Sequence, residues 1–178
     1  MRIIGGKHKG RRFTAPQNIP TRPTTDFSKE ALFNILNNNF YFDAISYLDL
    51  FAGTGSHSYE YASRGCTDIT AVDMNKKCVG FIRKTSDELD FNIHVTEADV
   101  FSYIKTCKRK FNIIFAGPPY PLDEKIKEIP QLIFENDLLE DNGWLIVEHY
   151  YKLDLDDLPY FVEKRKYGQT VFSIFIKK

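Results

Sequence analysis

From residue 46 onward, short and mostly apolar runs alternate with longer stretches in which apolar positions recur every three or four residues. The runs Tyr47–Phe51, Ile69–Asp73, Asn92–Thr96, Phe111–Ala116 and Trp144–Glu148 predict strands. Their near-continuous apolar character is that of a parallel sheet covered on both faces. Between them the spacing predicts helices over Ser56–Ser63, Lys76–Leu89, Val100–Cys107 and Leu122–Leu139. Such alternation implies right-handed crossovers and a doubly wound α/β sheet. The C-terminus breaks the pattern: Phe161–Tyr167 and Thr170–Ile176 flank Gly168 and Gln169 and predict a β-hairpin.

The segment before residue 46 reads differently. Gly5, Gly6 and Gly10 supply turn positions between small apolar runs, so Met1–Phe13 predicts a short hairpin or an extended arm. Pro16, Pro20 and Pro23 keep the following chain extended. A helix comes next, capped by Thr25 or Asp26, with Phe27, Ala31, Leu32, Ile35 and Leu36 at helical spacing and Asn37–Asn39 closing it. With no repeat or long linker, residues 1–178 are expected to form one domain, a basic arm over 1–25 and an α/β core over 26–178.

Composition narrows the setting. Of 178 residues, 43% are hydrophobic and 27% charged, ordinary for a globular protein, and no run approaches membrane-spanning length. Cys66, Cys78 and Cys107 are odd in number and lack a CxxC pair, which argues for small packed thiols in a reducing compartment. A cytoplasmic location is expected. The formal net charge of zero hides a split. Residues 1–25 carry Arg2, Lys7, Lys9, Arg11, Arg12 and Arg22 and no acid, whereas residues 121–160 carry eleven acids against three lysines. That asymmetry suggests a polyanion on the basic side, with these six residues on its phosphates and the acidic region mostly facing away. A plain solvated extension explains the basic arm equally well.

Candidate chemistry lies at the strand ends. The first strand runs into Asp49-Leu50-Phe51-Ala52-Gly53-Thr54-Gly55, where glycines let the backbone approach a ligand. The third glycine of the dinucleotide fingerprint is replaced by Ser58, and Asp49 at the loop entrance suits a ligand ammonium rather than a pyrophosphate. Asp73, twenty residues after Gly53, stands where an acid accepts both ribose hydroxyls. An ammonium near the loop and a ribose at the next strand describe S-adenosylmethionine. Asp99 is a candidate for the adenine amine, or an N-cap for the helix from Val100, or both. Phe51, Gly53, Gly55, Met74 and Val100 complete the candidate cofactor site. His8, His57, His94 and His149 show no metal spacing, and no metal is expected.

After the fourth strand comes Gly117-Pro118-Pro119-Tyr120, the candidate catalytic corner. Together with Arg2–Gly6, Lys9–Arg11, Thr21–Thr24, Lys29–Leu36, the Asp49–Gly55 loop and Ser63–Gly65, it resembles the RsmD family of bacterial methyltransferases. That resemblance covers most of the chain. It implies a Rossmann-like S-adenosylmethionine-dependent methyltransferase fold, mostly parallel and ending in an antiparallel hairpin. It also implies methylation of guanine N2 in small-subunit ribosomal RNA, naked or within an assembling subunit; a monomer is expected. An adenine N6-methyltransferase acting on DNA or RNA shares the Pro-Pro-aromatic corner and is the alternative enzyme; a non-catalytic RNA-binding protein is the alternative of another class.

One departure from the resemblance matters. Enzymes that methylate exocyclic amines carry Asp or Asn immediately before Pro-Pro-aromatic, and this chain has Gly117. The acceptor side chain holds the amine hydrogens and favours a pyramidal nitrogen, while the aromatic residue stacks on the flipped base. Gly117 retains backbone carbonyls and Tyr120 the platform. Three explanations stand: a neighbouring acid such as Asp123 or Glu148 substitutes, the protein is a weakened or inactive homologue, or a single Asp-to-Gly change separates it from its relatives.

Overall fold

Alternation along the strands divides this molecule into two packed layers. In β1 (Ser46–Leu50), Tyr47 points to one face of the sheet and Leu48 and Leu50 to the other. In β4 (Phe111–Ala116), Ile113 and Phe115 share the Tyr47 face, and Ile114 and Ala116 the Leu48 face. All of these are at most 3% exposed, so both faces are covered. The computed structural model describes residues 1–19 and 24–178. Among these residues no helix is long and apolar enough to cross a membrane.

The described strands form one seven-stranded sheet in the order β3-β2-β1-β4-β5-β7-β6. Here β2 is Asp68–Asp73, β3 Ile93–Glu97, β5 Leu139–Tyr150, β6 Phe161–Tyr167 and β7 Thr170–Ile176. β1 to β5 pair in parallel, while β7 lies antiparallel between β5 and β6. This is the Rossmann-like α/β sheet of S-adenosylmethionine-dependent methyltransferases, ending in the expected hairpin. The strand order reverses between β1 and β4, and that switch point leaves a crevice at the strands' C-terminal ends.

Helix α1 (Asp26–Asn37) begins where Thr25 Oγ1 accepts the Ser28 amide, and it buries Leu32, Phe33 and Leu36. α2 (Ser56–Ser63) and α3 (Lys76–Leu89) follow β1 and β2, α3 being capped by the Asn75 side chain. α4 (Val100–Thr106) starts at Asp99, whose Oδ1 accepts the Ser102 amide.

Several boundaries differ from the sequence expectation, and three of them have a consequence or a cause in the fold. β1 stops at Leu50, because Phe51 has φ +60° and turns the chain out of the sheet. The helix expected over Leu122–Leu139 is broken into α5 (Asp123–Ile126) and α6 (Glu128–Glu135). Pro130 has no amide hydrogen for the Ile126 carbonyl, so the helix restarts with proline inside its first turn, where no donor is needed. β5 begins at Leu139 rather than Trp144, with Leu139 paired to Phe111 across an irregular register.

The N-terminus is a hairpin docked on the domain. Arg2 bridges Arg12, the Ile3 amide donates to Arg11 O and the Gly10 amide to Ile3 O, both at 2.9 Å. Ile3 is 1% exposed and packs with Tyr59, Val79 and Ile82. Gly6, at φ +75°, passes so close to α2 that an added Cβ would sit 1.9 Å from Ser63 O. Only glycine fits that crossing.

Candidate functional site

The loop after β1 places backbone and carboxylates around one cavity of about 570 Å³ at the switch point. Asp49, Phe51, Gly53, Asp73, Met74 and Asp99 all line it. Asp73 shapes the loop: its Oδ2 accepts the Gly53 amide and its Oδ1 the Asn75 amide, each at 2.8 Å. Each oxygen retains a second lone pair for a hydroxyl donor. Asp49 is 2% exposed, and Ser58 Oγ donates to it at 2.6 Å. Burial pushes the Asp49 carboxyl up to about 7, against the pull of the Ser58 hydrogen bonds. Ser58, the residue in place of a third glycine, therefore serves as this acid's donor. Met74 is 70% exposed, an apolar side chain held at the rim.

Two expected residues stand elsewhere. Val100 is buried in the core with Leu48 and Ile104 and is absent from the cavity wall, where Phe101 takes the place beside Asp99. Gly55 is also off the wall. At φ +81° it would bring a Cβ within 2.7 Å of the Tyr59 ring, so close packing against α2 explains this glycine.

The Gly117–Tyr120 corner lines the same cavity. The Gly117 amide donates to Leu50 O at 3.2 Å, tying β4's end to β1. Gly117 lacks a positive φ, so its backbone admits other residues. A Cβ there would stand 3.1 Å from the Phe115 ring and 3.7 Å from Glu148 Oε2. Glu148 thus brings a carboxylate oxygen to the corner where the family pattern has one from residue 117. The side chain of Asp123, the other acid considered, lies outside the described residues.

Glu148 also belongs to a small network. Thr24 Oγ1 donates to Glu148 Oε2 at 2.7 Å and lies 3.1 Å from His57 Nε2. Since the threonine hydrogen is committed to Glu148, Nε2 carries the imidazole hydrogen and donates to Thr24. His57 stacks on Phe115 at 4.0 Å, and burial lowers its pKa to about 3, so it stays neutral. Glu148 was one of the two acids the sequence offered for this corner; Thr24 escaped that reading because it lies far from the loop in sequence and meets it only in the fold.

Of the basic residues, Lys7, Lys9, Arg11 and Arg12 are exposed on the hairpin, and Arg22 lies outside the described residues. Arg2 is bonded to Asp26 at 2.8 Å. Beneath the hairpin lies a buried pair that the sequence reading missed. Glu60 is 0% and Lys29 1% exposed. The Glu60 carboxylate accepts the Ile4 and Gly5 amides and Arg64, while Lys29 Nζ donates to Arg2 O and Ser56 Oγ. The signal was present: Lys29 shares a helical face with Leu32, Phe33 and Leu36. The acidic region is not uniformly remote, since Glu148, Leu122 and Lys125 line the cavity.

Residues 1–176 match the family described as conserved hypothetical protein 95. The chain is 33% identical to YlbH of Bacillus subtilis strain 168 over the full length of both proteins. It is 35% identical to ribosomal RNA small subunit methyltransferase D of Escherichia coli K12, over 83% of this chain and 71% of that one. A solved structure of a hypothetical protein from Thermus thermophilus superimposes with a TM-score of 0.86 at 26% identity, covering 98% of each chain.

Proposed function

The chain belongs to the conserved hypothetical protein 95 family, and from that premise we propose that it methylates the exocyclic N2 of a guanine in small-subunit ribosomal RNA. It is an S-adenosylmethionine-dependent methyltransferase. The observation that carries the reading is the shared cavity lined by Asp49, Asp73 and the Gly117–Tyr120 corner. The residues present fit the cofactor. Asp49 receives the ammonium, Asp73 the ribose hydroxyls and Asp99 the adenine amine, with Met74 and Phe101 as apolar cover. When bound, S-adenosylmethionine supplies an electrophilic methyl group on a sulfonium.

The chain's own residues then have to present the amine. Tyr120 stacks on the flipped base, and backbone carbonyls at Gly117 and Pro118 accept the amine hydrogens. The Glu148 carboxylate, held by Thr24, adds an acceptor at the same corner. The RNA assignment draws on the Escherichia coli relative's name and on the exposed Lys7, Lys9, Arg11 and Arg12. One observation favours a second reading, a cofactor- and RNA-binding homologue with little turnover: no side chain at residue 117 accepts a hydrogen bond.

Nucleoside mass spectrometry after incubating the protein with ribosomal RNA and isotope-labelled S-adenosylmethionine tests both. Labelled N2-methylguanosine is expected. Labelled N6-methyladenosine overturns the guanine assignment, and no label supports the binding homologue.

A further inference from the structure

At the cavity mouth a row of aromatic rings continues out of the site along the sheet's end. Tyr120, on the cavity wall, meets Tyr150 with ring centroids 5.5 Å apart, and Tyr150 meets Tyr151 at 4.6 Å. The backbone beneath them is fixed. Tyr150 pairs with Thr170 in the β5–β7 register, and the Tyr151 amide donates to Gln169 O at 3.0 Å. Tyr151 is nevertheless 42% exposed, and neither tyrosine belongs to a core cluster.

Two ammoniums accompany the rings. Lys152 Nζ lies 6.0 Å from the Tyr150 centroid and Lys166 Nζ 4.7 Å from that of Tyr151. Among the described residues neither lysine has a carboxylate within ion-pairing distance. Three acids of this end are engaged elsewhere: Asp154 and Asp156 with Lys164, and Glu163 with Arg165. Half-exposed π faces alternating with such cations complement a single-stranded polynucleotide, whose bases stack while its phosphates meet the lysines. An aliphatic partner surface finds no matching aliphatic patch in this row.

We propose that Tyr150 and Tyr151, with Lys152 and Lys166, form a stacking platform for the single-stranded RNA that flanks the nucleotide held in the cavity. The proposal rests on the RNA reading above. It moves part of the RNA contact from the N-terminal hairpin to the β5 end of the sheet, inside the region whose acids pointed away from RNA.

The test measures fluorescence anisotropy of a labelled, guanine-containing RNA of about eight nucleotides, with S-adenosylhomocysteine affinity as the control for folding. Tyr151→Ala should weaken RNA binding about 5- to 150-fold and leave the homocysteine affinity unchanged. Tyr151→Phe, which keeps the ring and loses the hydroxyl, should bind RNA as wild type does. Lys152→Ala/Lys166→Ala should reduce the slope of log affinity against log salt by about 1.4. Wild-type RNA affinity in Tyr151→Ala, with methylation retained, overturns the platform and spares the RNA reading. Wild-type protein that binds the homocysteine but no RNA overturns both. Tighter binding of DNA of the same sequence overturns the assignment to RNA.

Discussion

Burial brings the Asp49 carboxyl to about 7, within a pH unit of working conditions, while Ser58 pulls it the other way. A ligand ammonium stabilises the charged form, so binding draws on the deprotonated acid. Affinity for S-adenosylhomocysteine should therefore be about tenfold weaker at pH 6 than at pH 8, and Asp49→Asn should abolish this slope; calorimetric titration across the range checks both. In the ligand-free protein the same shift acts on stability. The native state keeps a proton that the unfolded state loses, so this acid's contribution declines as pH rises from 3.8 to about 7. Under the proposed function, Gly117 is the other residue on which activity should turn. Gly117→Asp restores the acceptor and should raise single-turnover methyl transfer about 100- to 1000-fold, whereas Gly117→Ala should gain nothing. The Phe115 ring must give way in both variants, since it stands 3.1 Å from the new Cβ. Glu148 Oε2 is 3.7 Å from that Cβ, so the gain from a second carboxylate should be larger in a Glu148→Gln background. A wild-type rate equal to that of Gly117→Asp would mean that the acceptor is already supplied.

At the scale of elements, the N-terminal hairpin is where sequence reasoning and structure diverge most. Read as a basic arm, it invites deletion of residues 1–12 as a test of RNA binding. In the fold, that deletion strips Glu60 of the Ile4 and Gly5 amides and Lys29 of Arg2 O. It would take three hydrogen-bond partners from the buried Lys29–Glu60 pair, leaving Arg64 on Glu60 and Ser56 on Lys29; breaking such a pair outright costs about 3–5 kcal/mol. Glu60→Ala should incur a loss of that size in urea unfolding; a change below about 1 kcal/mol would show that the hairpin does not depend on this carboxylate. Charge reversal at Lys9 and Arg11, both exposed, probes RNA contact without disturbing the dock. Other elements were legible to within a residue, such as α3 and β4, because their apolar period is clear and their ends are marked by Asn75 and Gly117. The break between α5 and α6 was not, since a proline at the third helical position reads like part of one continuous helix.

For the whole molecule, ligand binding and fold stability are coupled, because the cavity is assembled from β1, β2, β4 and β5 at once. S-adenosylhomocysteine at a hundred times its dissociation constant should add about 2.7 kcal/mol, raising the thermal midpoint by about 5–10 °C; NADH should leave it unchanged. A midpoint indifferent to both would remove the cofactor assignment. The sequence by itself determined the strand–helix alternation, the terminal hairpin, the glycine loop with Asp49 and Asp73, and the Gly117–Tyr120 corner. These are local facts: apolar period, turn residues and short-range spacing leave their mark within about ten to twenty residues. Only the tertiary structure decided that Thr24, His57 and Glu148 meet behind Gly117, that Lys29 and Glu60 lie buried under the hairpin, and that Tyr120, Tyr150 and Tyr151 form one row. Thr24 and His57 are 33 residues apart in the chain, and Thr24 and Glu148 are 124 apart. A single chain's local pattern carries no record of which distant segments the crossovers bring together.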